Sequence, residues 1–144
     1  MKEIMYRKVP MMMHAIDKEG RLIDVNDEWC MVMEYQREEV IGKKSIEFLT
    51  QASRNMAIRS ILPYFFEHGE CRNVPYQFVK KSGAILEVEL SAHSIRDEAG
   101  TIIESRAVLV DVTDRNRILR QVFAQNPTLA EEFSYIHLFK TRSR

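Results

Sequence analysis

The stretch from Val74 to Val112, VPYQFVKKSGAILEVELSAHSIRDEAGTIIESRAVLVDV, decides the fold class. Val74, Tyr76 and Phe78 recur at every second position, the period that puts apolar side chains on one face of a strand. Lys80-Lys81-Ser82-Gly83 then turns the chain. Leu86, Val88, Leu90 and Ala92 alternate against Ile85, Glu87, Glu89 and Ser91, as in a strand with one buried and one wet face. Asp97-Glu98-Ala99-Gly100 is a second turn, and Thr101 to Val112 reads as another long strand. Strands joined by turns this short run antiparallel.

N-terminal to this block the period is that of a helix. Thr50 or Ser53 caps a helix whose apolar positions Met56, Ala57, Ile58, Ile61, Leu62, Phe65 and Phe66 recur at helical steps. Pro63 falls inside that pattern and predicts a kink or restart, because proline has no N–H to give. His68-Gly69-Glu70 ends the helix. Farther back, Met11 to Ile16 and Arg21 to Val25 flank the charged turn Asp17-Lys18-Glu19-Gly20, which predicts a β-hairpin. Asn26 or Asp27 is placed to cap a short helix through Trp29, Val32 and Met33. Arg37 to Gly42 looks like one more helical turn closed by glycine.

C-terminal to the block, Thr113 is expected to cap a helix through Phe123, and Asn126-Pro127 to start another. Leu119, Val122, Asn126, Leu129, Phe133 and Ile136 follow alternating steps of three and four, a short coiled-coil seam that Pro127 interrupts.

The whole chain is of a size for one compact domain, at 144 residues with 45% apolar and 29% charged. Lys plus Arg balances Asp plus Glu, 21 against 21, so no global field favours nucleic acid or an anionic membrane. Apolar runs fall far short of the about 20 residues a membrane helix needs. Met1 to Pro10 lacks the apolar stretch of a signal peptide. Cys30 and Cys71 form no CxxC pair, which suits reduced thiols and a cytoplasmic location. There is no Gly-rich phosphate loop, no GxSxG elbow and no histidine pair at metal-ligand spacing, so no enzyme is expected. Arg115, Arg117 and Arg120 lack aromatic partners and read as a solvated helix face rather than a nucleic-acid patch. His14 is the histidine expected in the interior, satisfied within the core, while His93 falls on the outer phase of its strand.

Several local motifs, in order and at ordinary spacing, resemble those of the PAS family. DKEGRLIDVND (17–27) is similar to its opening hairpin and the Asn after it. EYQREEVIGK (34–43) resembles the Gly-Tyr, Glu, hydrophobic pair, Gly segment, with Glu34 for the first Gly. The block from Val74 through Arg117 is similar to the C-terminal half, ending in the Asp-x-Thr exit as Asp111-Val112-Thr113. The resemblance covers roughly residues 9–118. It implies an α+β fold: a five-stranded antiparallel sheet with helices on one face, plus flanking N- and C-terminal helices. The implied division is 1–8 flanking segment, 9–113 domain and 114–144 helical extension.

The resemblance also implies a cup able to hold a flavin, a haem, a small metabolite or nothing. Met13, Trp29, Met33, Phe48, Ile58, Leu62, Tyr76 and Leu90 are the candidate pocket residues. Met11, Met12 and Met13 could line an adaptable pocket or pack as ordinary core. A photoactive flavin is argued against, since Ser45 stands near the position of the reactive thiol. Haem is argued against because Ser53 to Phe66 holds no axial histidine. No cofactor is therefore expected. By resemblance, Asp111 and Thr113 carry signal relay, and the function implied is a sensory, regulatory module for signal transduction. It would relay a ligand- or partner-induced change through homodimerisation and the C-terminal helix. Its effector, fused or in trans, would be a histidine kinase, a cyclic-dinucleotide enzyme or a transcription factor. The alternative is a small-metabolite-binding protein with no effector of its own. Ile4, Met5 and Val9 add an apolar N-terminal face to the expected dimer.

Overall fold

The computed structural model describes residues 6–129, 131 and 132. The chain divides into two compact units, Met1–Asp111 and Val112–Arg144. The first is built on a five-stranded antiparallel sheet in the order β2-β1-β5-β4-β3. Its strands are β1 (Met12–Asp17), β2 (Leu22–Val25), β3 (Glu70–Val79), β4 (Ile85–Arg96) and β5 (Ile102–Asp111). The N-terminal hairpin pairs with the last strand, so the segment between β2 and β3 must carry the chain from one sheet edge to the other. All the helices of this unit that lie between strands belong to that crossing.

Two turns share one chemistry. Asp17 accepts from the N–H groups of Glu19 and Arg21 at 2.9 and 3.0 Å, and Gly20 closes the turn at φ +81°. Asp97 accepts from the Thr101 N–H at 2.9 Å, with Gly100 at φ +86°. A side chain at either glycine would meet open space, so it is the left-handed backbone, not crowding, that calls for glycine.

The crossing segment opens with α1 (Asp27–Met33), capped by Asn26, whose Oδ1 accepts from the Trp29 N–H at 3.1 Å. The short α2 (Arg37–Val40) follows, then a 3₁₀ turn at Ser45–Phe48. Thr50 caps α3 (Gln51–Met56), accepting from the Ser53 N–H at 3.4 Å. The helix expected to kink at Pro63 instead widens before it. Ala57–Ile61 forms a π-turn, and the Leu62 N–H reaches back to the Ala57 carbonyl. That shift of register places Pro63 in the first turn of α4 (Leu62–His68), where its missing N–H costs least.

Trp29, Met33, Val25, Val40, Phe78, Leu86, Val88 and Leu109 are fully buried between sheet and helices. Each such side chain contributes roughly 1.5–3 kcal/mol of transfer free energy.

In the second unit, α5 (Thr113–Gln125) begins where the sequence predicts, but its cap differs. Val112 holds the cap position, without a side-chain cap bond, and Thr113 is already the first helical residue. Strand pairing explains this. Asp111 is still opposite Val88 in the sheet, so a single residue remains to change the backbone from strand to helix. Asn126 ends α5 before Pro127, its N–H on the Phe123 carbonyl and its side chain on the Val122 carbonyl. Of the two apolar faces expected to dimerise, Ile4, Met5, Phe133 and Ile136 lie outside the described residues.

Candidate functional site

The inner face of the sheet is not filled to its surface. Ala92 and Ala107 face each other in register, and Ser105 lies beyond Ala107 on the same side of β5. Three small side chains at the centre of an inward face leave room that larger ones would occupy. Above them the π-turn contributes Ala57, another small residue. The result is a cavity of about 40 Å³. That is room for one or a few waters.

Its walls are mainly apolar. β3 and β4 add Phe78 and Leu90, while the crossing segment adds Ile46, Leu49, Ile61, Leu62 and Phe65. Five side chains bring polar atoms: His14, Ser45, Cys71, Tyr76 and Ser105. Among the described residues, no Asp, Glu, Lys or Arg lines the cavity. Burial pushes the His14 imidazole down to about 4. Burial also raises the Tyr76 phenol and the Cys71 thiol. At neutral pH the cavity is thus uncharged. His14 is 4% exposed, and its Nδ1 has no hydrogen-bond partner among the described residues. The interior position matches the sequence expectation; the satisfied core histidine does not.

Of the candidate pocket residues, Leu62, Tyr76 and Leu90 come together on this cavity. Trp29, Met33 and Phe48 are buried elsewhere in the core, where the Trp29 and Phe48 rings meet edge to face at 5.8 Å beside Tyr35. Ile58 is 51% exposed and lines a shallow outer groove with Glu19, Lys44, Pro63 and Phe66. Met13 stands on the opposite pleat from His14, half-buried and in register with Val108. His14, Cys71 and Ser105 were not singled out for the pocket. The signal that finds His14 and Ser105 is the period of two, which puts Met12, His14 and Ile16 on one face of β1 and Ser105, Ala107 and Leu109 on one face of β5; Cys71 escapes it because β3 shifts register between Cys71 and Val74.

Asp111 closes β5 at an exposed position and Thr113 opens α5. Among the described residues, no group of three or more His, Cys, Asp or Glu is placed to hold a metal. No described helix is long and apolar enough to cross a membrane. His68 stays at the surface, stacked on Tyr64 with its Nδ1 3.0 Å from the Tyr64 carbonyl. His93 is exposed on β4, on the outer phase as expected.

Comparison with known proteins agrees with this architecture. The chain is similar to the PAS domain of an HTR-like protein from Haloarcula marismortui: 20% identity, 76% of this chain and 88% of that one, TM-score 0.65. It is similar to the PAS domain of a Colwellia psychrerythraea protein, with 17% identity over 78% of this chain and 95% of that one, TM-score 0.72. A third likeness is to the PAS-B domain of Drosophila melanogaster Cycle with bound ethylene glycol. There the identity is 13%, the coverage 70% and 99%, and the TM-score 0.64. No curated protein sequence matches the chain. The family model described as "PAS domain" matches residues 8–114, most of the chain. The chain belongs to the PAS domain family.

Proposed function

We propose that this PAS domain is a sensory, regulatory module in which occupancy of the internal cavity, or docking of a partner, biases the exit at Asp111 and Thr113. The observation that carries the reading is the path of β5. The strand supplies Ser105 and Ala107 to the cavity wall and runs on to Asp111 at the start of the exit. A ligand that shifts β5 therefore acts on the backbone leading into α5. A conformational bias of this kind needs only that the ligand bind one state better than the other. Asp111 and Thr113 are the relay residues in this proposal, and residues 114–144 are its output segment.

The working form is a homodimer. On the outer face of the sheet, Met13 pairs in register with Val108, and Ile103 and Val110 are exposed nearby on β5. An exposed apolar strip on a sheet face favours burial against a second copy. The effector, fused or in trans, is a histidine kinase, a cyclic-dinucleotide enzyme or a transcription factor, in a cytoplasmic setting and without direct nucleic-acid contact. The test is light scattering at tens of micromolar: a dimer mass for the native chain and a monomer mass for Val110→Glu support the proposal. A monomer for the native chain defeats it.

The cavity also favours a second reading, a small-metabolite carrier with no effector. A full-length sample that binds a ligand but shows no change in α5 would favour the carrier.

A further inference from the structure

The cavity and the outer groove share two side chains. Ile46 and Leu62 line both, so these two side chains stand between the cavity and the groove. Leu62 sits where the π-turn returns to ordinary helix, its N–H bonded to the Ala57 carbonyl. Widened turns of this kind recur at functional sites. The groove outside is far roomier than the cavity, about 490 Å³ against about 40 Å³.

Inside, the chemistry is selective. A charged ligand would be buried without any charged partner, which is costly. A purely apolar ligand would leave the His14 Nδ1 as it is, buried and unpaired. A hydroxyl answers the imidazole in either neutral tautomer, because it can both donate and accept.

We propose that the cavity binds a small neutral molecule with an apolar body and one hydroxyl, the hydroxyl paired with His14 Nδ1, admitted between Ile46 and Leu62. This rests on the sensory reading of the same cavity and names the ligand class. Bodies larger than a few atoms push the Leu62 wall outward, which couples binding to the π-turn.

The probes are phenol, toluene and benzoate, titrated into the full chain and followed by amide NMR shifts. Phenol is expected to shift the cavity residues of β1 and β5 together with the segment 57–62, more strongly than toluene, and benzoate not at all. His14→Leu keeps the apolar volume and should weaken phenol about fivefold while leaving toluene unchanged, the worth of one hydrogen bond. Leu62→Ala enlarges the cavity and should tighten both phenol and toluene. Benzoate binding as well as phenol, an unchanged phenol preference in His14→Leu, or no phenol shifts even in Leu62→Ala would each overturn the proposal. Light scattering on the same samples separates the two claims. A dimer that ignores phenol rejects the ligand class alone, whereas a monomer that binds phenol rejects the dimeric relay alone.

Discussion

His14 is buried neutral, and that ties stability to pH. Its folded pKa is lowered to about 4, against an ordinary value of 6.5. Between those values the unfolded chain takes up a proton that the folded one refuses, so stability falls as pH drops through that window. Above pH 6.5 the contribution is fully present. By pH 5 the loss should be about 2 kcal/mol, from the two pKa values and 1.36 kcal/mol per unit. Urea unfolding at pH 7 and pH 5 measures it, and His14→Leu should remove the slope. Asp27, Glu34 and Glu39 have lowered pKa values, so their contributions fade only below the ordinary carboxylate range. A second residue matters more for folding. Asn26 is completely buried and gathers the N-terminal segment. Its Nδ2 donates to the Met11 carbonyl at 2.7 Å and the Tyr6 carbonyl at 3.2 Å, and its Oδ1 accepts from the Met13 and Trp29 N–H groups. Asn26→Ala strands several buried backbone groups at once and should cost roughly 2–4 kcal/mol. Asn26→Asp keeps the acceptor but sets a carboxylate against carbonyl oxygens, so it should not rescue. Chemical denaturation of both variants checks this.

At the scale of elements, the exit between β5 and α5 carries the next expectation. If the relay proposal holds, Asp111→Ala and Thr113→Ala, which alter the last residue of β5 and the first of α5 rather than a cap, should leave the sheet folded and loosen α5. Hydrogen exchange should accelerate within residues 114–125 and stay unchanged from Val74 to Val110. Unfolding of the whole domain by both variants would make the pair structural instead. The strands, both Asp-to-Gly turns and the Asn26 cap were legible in the sequence because each depends on local chemistry: a period of two, a carboxylate over backbone N–H groups, a glycine at positive φ. The pocket was less legible. Helical spacing put Ile58 and Leu62 on one face, but the π-turn inserts an extra residue between them and turns Ile58 out to solvent. In β1, Met13 and His14 differ by one position and thus lie on opposite faces. Choosing large apolar residues selected Trp29, Met33 and Phe48, which fill space, whereas the cavity exists where Ala92, Ser105 and Ala107 fail to fill it. Thr113 missed the cap because the pairing of β5 extends through Asp111.

At the scale of the whole molecule, one strand, β5, forms part of the wall of a neutral cavity and leads into the helix that follows it. The link can be tested without knowing the ligand, by filling the cavity from β5 itself. Ala107→Val adds volume opposite Ala92, at a cost of about 1–3 kcal/mol for overpacking, small enough for a domain of ordinary stability to stay folded. Hydrogen exchange of the native and Ala107→Val chains, compared residue by residue, is the decisive measurement. A several-fold change in exchange is expected across residues 114–125, with α2, which lines no part of the cavity, unaltered. Exchange in 114–125 that stays the same while the residues around the cavity respond would contradict it.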